Sequence, residues 1–213
     1  MKKWDKLIFL CRHLPTLENE TGIIMGRLID PSINWDEENN FRKNIKQFAK
    51  FTDIERSTTD FFSSPALRCQ QTLKIALSEL GFNDLKYKVD KRLWETDCGS
   101  FSGKNAKQLR IENAKLLDLW VEHPDEMKFP GGESYSDVQL RTLKWLKEAL
   151  KKEARIVFVV THVDVIKMAI FSAVNISISS KRLVTIDPGS ITVLGVRGDE
   201  TVLLNSNLFG GVM

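Results

Sequence analysis

Short apolar runs alternate with amphipathic stretches along this chain, and turn-forming residues separate them. Lys6-Leu7-Ile8-Phe9-Leu10-Cys11 and Arg155-Ile156-Val157-Phe158-Val159-Val160 are apolar at consecutive positions. Such runs predict strands buried on both faces, the kind found in parallel α/β sheets. Asp60-Phe61-Phe62-Ser63 predicts a third short strand, and residues 87–93 an edge strand. Residues 191–196 and 201–205, joined across Gly198-Asp199, predict a closing hairpin.

Between these runs the spacing changes to that of helices. Residues 36–51 place Phe41, Ile45 and Phe48 on one stripe. The next helix has Ser64 as its cap, Pro65 at its first position and Gly81 at its end, with Cys69, Leu73, Ala76, Leu77 and Leu80 on its buried face. Residues 104–121 read as one or two helices and residues 123–126 as a loop. Ser134 with Asp137 forms a capping box before a helix that buries Val138, Thr142, Trp145, Leu146, Ala149 and Leu150. Residues 165–174 are so apolar that their helix must lie inside. No repeat or linker interrupts the pattern. The expected fold is one α/β domain over residues 1–213: a three-layer sandwich with a mostly parallel sheet, helices on both faces and an antiparallel C-terminal hairpin.

A chain of 213 residues with 42% hydrophobic content can bury a sizeable core. The net charge of +3 is slight and its lysines are scattered, so no nucleic-acid partner is expected. The basic start, Met1 to Lys6, imitates a signal peptide, but Arg12 interrupts the apolar run too early for one, and no segment is long enough to span a membrane. Cys11, Cys69 and Cys98 are far apart and odd in number, which fits reduced thiols in a cytoplasmic protein.

Candidate chemistry collects at the strand ends. The first strand runs into Arg12 and His13, the strand at Phe61-Phe62 into Ser63 and Ser64 with Arg68 just beyond, and the strand at 156–160 into His162. Ligands of open α/β sheets bind beyond the carboxyl ends of the strands. Arg68 also sits near a helix N-terminus, where a cation opposes the macrodipole by roughly 0.3–1 kcal/mol. A bound anion would turn that conflict into cooperation. Two imidazoles and two guanidiniums at one edge point to a phosphate site. His123 falls in a polar loop and reads as exposed.

Five blocks then match one family in order. Cys11-Arg12-His13-Leu14-Pro15-Thr16 with Asn19, Ser63-Ser64-Pro65-Ala66-Leu67-Arg68, Leu93-Trp94-Glu95, Pro130-Gly131-Gly132-Glu133-Ser134 and Val160-Thr161-His162 resemble the histidine phosphatase (phosphoglycerate mutase-like) superfamily. The resemblance implies that His13 is the nucleophile that becomes phosphohistidine. It implies that Arg12, Arg68 and His162 surround the phosphate, and that Glu95 is general acid and then base. Thr16 and Asn19 would line the mouth, with Gly26 in the loop over it. Such an acid must begin protonated, which predicts a raised pKa at Glu95. The chain departs from the family at Leu14 and Val163, where glycine is common. Both substitutions are expected to crowd the pocket and leave the charged groups intact.

The implied activity is a metal-independent phosphomonoesterase acting on a small phosphorylated metabolite. A 2,3-bisphosphoglycerate-dependent mutase would share the phosphate pocket, but Ala106 stands where the familiar mutases place a lysine. A non-catalytic phospholigand-binding module is the third reading, and the retained His13, Glu95 and His162 weigh against it. Gly99 to Asn105 fails as a P-loop, because its glycine spacing is one short and Asn105 replaces Ser/Thr. Arg12 and Arg68 would repel a cation held by His13, His162 and Asp164, so no metal is expected, nor any other cofactor. The expected partners are the small phosphorylated substrate and, as an allowance, a second copy of the chain in a homodimer. Segments 34–57 and 104–129 are expected to cover the site.

Overall fold

A computed structural model describes residues 4–210. Six strands form one sheet in the order β3-β2-β4-β1-β5-β6. They are β1 (Lys6–Arg12), β2 (Thr59–Ser63), β3 (Lys88–Val89), β4 (Ile156–Thr161), β5 (Ile191–Arg197) and β6 (Glu200–Leu208). The four strands from β3 to β1 run parallel, whereas β5 pairs antiparallel with both β1 and β6. The mixed α/β sheet with its C-terminal hairpin is the architecture expected from the strand pattern.

The helices are α1 (Leu17–Glu20), α2 (Glu38–Ala49), α3 (Leu67–Glu79), α4 (Ala106–Glu122), α5 (Tyr135–Leu150) and α6 (Val163–Val174). Side chains alternate across each strand, so the central strands feed two cores. Phe9, Cys11, Phe158 and Val160 face the layer that contains Phe41, Ile45 and Phe48 of α2 and Leu73 of α3. Ile8, Leu10, Val157 and Val159 face the layer that contains Trp145 of α5 and Ile166 and Ile170 of α6. The helix of segment 34–57 therefore turns its apolar stripe to the sheet. Among the described residues no helix is long and apolar enough to cross a membrane.

Two elements differ from expectation. The predicted edge strand at 87–93 reduces to Lys88–Val89, because Asp90 caps a 3-10 turn over Lys91–Leu93. The helix after β2 begins at Leu67 with Ala66 as N-cap, so Ser64 is not its cap and Pro65 precedes its first turn. The Ser64 hydroxyl binds an imidazole instead, and Asp30 from a distant loop accepts the Leu67 N–H at 2.8 and 2.9 Å. By contrast, the Ser134–Asp137 capping box forms as its spacing predicts. The helix over 104–121 is one element with a break at Asn113.

Candidate active site

Backbone pairing continues one residue past the central strands. The His13 N–H donates to Thr161 O and the Ser64 N–H to Val160 O, each at 3.0 Å. His13, His162 and Ser64 therefore follow three adjacent strands, and the two imidazole centroids lie 5.3 Å apart. Both rings are buried.

Hydrogen bonds fix each tautomer. His13 Nδ1 lies 2.6 Å from the Leu14 carbonyl, which can only accept, so Nδ1 carries the proton and Nε2 keeps its lone pair. His162 Nδ1 accepts from the Arg68 guanidinium at 3.3 Å, and its Nε2–H donates to Ser64 Oγ at 2.8 Å. Burial and the charges of Arg68 and Arg12 hold the His13 pKa well below its ordinary value. Burial, Arg68 and His13 do the same for His162. Both rings are thus neutral at physiological pH.

Arg68 is 1% exposed, and polar atoms converge on it to make that tolerable. Its guanidinium bonds Asp30 Oδ1 (3.2 Å), Ile29 O (3.3 Å), Gly26 O (3.4 Å) and His162. Arg12 donates to Ile186 O at 2.6 Å. The Nε–H groups of both arginines are buried with no hydrogen-bond partner among the described residues. Buried N–H groups are rarely left unmatched, and each costs about 1–3 kcal/mol if they are. Two beside a pair of neutral imidazoles make the pocket suited to an oxyanion.

Glu95 arrives on the segment after the Lys91–Leu93 turn. Thr161 Oγ1 holds that segment through Leu93 O at 2.7 Å. Arg141 donates to Arg92 O and Glu95 O, and Arg27 also donates to Glu95 O. Both arginines pair with Glu133. Gly99 and Gly132 let this segment meet the 130–133 turn backbone to backbone. A Cβ at Gly99 would lie 2.1 Å from Pro130 O, and one at Gly132 would lie 2.2 Å from Asp97 O. The Glu95 carboxyl accepts from the Thr96 N–H at 2.9 Å and lies 4.0 Å from His162 Nδ1. Burial, then the Asp164 charge, pushes its pKa up to about 7, the raised value its place in the pattern predicts.

Arg12, His13, Arg68, Glu95 and His162 thus come together, with Gly26 against Arg68. Thr16 and Asn19 are near, but their polar atoms engage each other in the capping box of α1. Asn19 also borders a cavity of about 430 Å³ with Leu14, Phe41, Asp187 and Gly189. Leu14 packs in the α2/α3 layer and Val163 against the α5/α6 layer, so each substitution has an apolar neighbourhood. Asp30, Arg141 and Thr96 escaped the motif reading, Ser64 was read as a helix cap, and Asp164 only as a rejected metal ligand. Thr96 and Asp164 sit one and two residues after Glu95 and His162, whereas nothing local singles out Asp30.

The family model for the histidine phosphatase superfamily (branch 1) matches residues 8–208. The chain belongs to this superfamily. Among curated relatives of this histidine phosphatase is phosphoserine phosphatase 1 of Hydrogenobacter thermophilus. It is 26% identical, with 94% of this chain and 92% of the relative aligned. A 2,3-bisphosphoglycerate-dependent phosphoglycerate mutase of Afipia carboxidovorans is 29% identical, over 97% of this chain and 99% of that one. The fold is shared with Bacillus stearothermophilus YhfR (TM-score 0.83, 20% identity, 93% and 95% coverage). It is also shared with the mycobacterial glucosyl-3-phosphoglycerate phosphatase (TM-score 0.79, 22% identity, 95% and 98% coverage).

Proposed function

We propose that this histidine phosphatase is a metal-independent phosphomonoesterase that hydrolyses a small phosphorylated metabolite through a phosphohistidine at His13. The observation that carries the reading is the His13 Nε2 lone pair, freed by the Nδ1–H bond to Leu14 O and set among guanidiniums with unmatched N–H groups. In the first step Nε2 attacks phosphorus, the bond to the leaving oxygen breaks, and Glu95 gives that oxygen its proton. In the second step water attacks phosphorus, ionised Glu95 takes the water proton, and the N–P bond breaks to restore Nε2. Dividing the displacement in two lowers each barrier, and Arg12 and Arg68 stabilise the charge spreading over the phosphoryl oxygens, with His162 Nδ1 holding Arg68 in place. Thr16, Asn19 and the Gly26 loop would border the leaving group. Segments 34–57 and 104–129 would shape access.

The test is a panel of phosphometabolites assayed without added metal, including O-phosphoserine, phosphoglycerates and sugar phosphates. The parent is expected to release phosphate and to trap labelled phosphate at His13 on rapid quenching. His13→Ala should abolish both, and Glu95→Gln should slow alkyl-ester turnover ~10²–10⁴-fold while sparing phosphate binding. Parent-like turnover by His13→Ala would end the phosphohistidine reading. The relative named as a mutase favours a second reading, and interconversion of phosphoglycerates that requires 2,3-bisphosphoglycerate and outpaces hydrolysis would establish it. Phosphate binding without turnover in the parent would leave the non-catalytic module.

A further inference from the structure

Glu95 connects through its neighbour Thr96 to a second, buried charge pair. While the Thr96 N–H binds Glu95 Oε1, its hydroxyl donates to Asp164 Oδ2 at 2.8 Å. Asp164 Oδ1 in turn pairs with Lys181 Nζ at 2.7 Å, and that ammonium sits 4.3 Å from the centroid of the Tyr135 ring. The Tyr135 hydroxyl accepts from Trp120 Nε1 at 2.6 Å. Thr96 is fully buried and Asp164 nearly so. A carboxylate and an ammonium removed from water together gain little net stability, because desolvation offsets their attraction. Fold stability alone is therefore a weak reason for the pair to be here.

We propose that Asp164 and Lys181 are positioning residues that set the protonation of Glu95, Lys181 keeping Asp164 charged and Asp164 holding the proton on Glu95. The inference rests on the reading of Glu95 as acid and base. An adjacent anion favours the neutral carboxyl and an adjacent cation the ionised one. Five other cations face Glu95: Arg68 from α3, Arg12 from the end of β1, Lys167 from α6, Arg141 from α5 and Arg27, whose Nε donates to Glu95 O. Neutral His162, the thiols of Cys69 and Cys98, and Glu133, which is paired with Arg27 and Arg141, are its other charged and titratable neighbours. Every one of those cations pulls the proton off, and Asp164 is the anion that opposes them. It can do so because it stays charged: burial would neutralise it, but Lys181, helped by the Thr96 hydroxyl and Lys167, more than offsets burial and its pKa falls. A group titrating near pH 7 can both give a proton to an alkoxide and take one from water within a single turnover.

The test compares pH profiles of kcat for O-phosphoserine, or the best alkyl phosphate of the panel, with those for p-nitrophenyl phosphate. An alkoxide needs the proton and p-nitrophenolate does not. Asp164→Asn, which keeps an acceptor for Thr96, should move the alkaline limb down by about one pH unit. That would cut alkyl-ester kcat about tenfold above the limb and leave the aryl ester nearly unchanged. Lys181→Met, which lets burial neutralise Asp164, should move the limb down as well, and Asp164→Glu should restore the parent profile. A purely structural pair would slow both esters alike and leave the limb in place. An unmoved or raised limb in Asp164→Asn, or an equal loss on both esters, overturns the inference. Should Lys181→Met fail to fold, the contrast between Asp164→Asn and Asp164→Glu decides alone. If the limb persists in Glu95→Gln, the parent reading fails instead; if it is lost there but unmoved in the pair variants, only this inference fails.

Discussion

Single residues at this site are set by what each hydrogen bond permits. Ser64 shows it well, because a sequence pattern that reads it as a helix cap gives way to a bond with His162 Nε2. Without that oxygen, His162 would keep a buried N–H with only Cys69 Sγ nearby, at 3.5 Å. Ser64→Ala is expected to cost about 1–3 kcal/mol in urea denaturation. It should also loosen the Nε2–H tautomer, which nitrogen NMR of the imidazole reads directly. An unchanged stability and tautomer would mean that Arg68 alone orients the ring. His13 and Arg68 were legible because a strand end and a helix start advertise them, and Glu95 through the family resemblance. Asp30 was not, since its partners lie 37 and 38 residues away.

At the level of elements, that same Asp30 links a loop to a helix. One carboxylate accepts the Leu67 N–H at the start of α3 and pairs with Arg68, so it caps the helix and aims its first cation together. Asp30→Ala should lower stability by about 1 kcal/mol, the usual loss for a cap. It should also weaken inhibition by inorganic phosphate, because Arg68 loses the bond that aims it. Asp30→Asn should recover most of the stability and less of the phosphate affinity. Equal recovery of both would show that only the cap matters. The same scale explains the mispredicted elements. Apolar content near Tyr87 suggested a strand, but Asp90 caps a competing turn after two residues. Strong periodicity placed the other helices well, since burial against the sheet outweighs local choices there.

The whole molecule stores the site's titration as stability. Between about pH 5 and 6 the unfolded chain protonates His13 and His162 while the fold keeps them neutral, so both make stability fall as pH falls. Glu95 acts oppositely, being protonated in the fold below about pH 7 and ionised when unfolded down to its ordinary value. The stability it adds is complete below that value and lost as pH rises through about 7. Two protons against one leave a net slope of about 1.4 kcal/mol per pH unit, with stability rising toward pH 6. Glu95→Gln should roughly double that slope, and His13→Asn should bring it near zero; denaturant midpoints across the window measure both.

The three-layer architecture behind this was readable from apolar runs alone, whereas the Lys181 contact was not, because the Ile178–Leu183 turn carries no periodic signal. The one-residue continuation of the ladder past β1, β2 and β4 has a further consequence. Parallel strands stand about 4.8 Å apart wherever they occur, so the sheet serves as a ruler for the imidazole pair. Surface segments can lengthen or be exchanged, and the spacing of the two imidazoles stays calibrated.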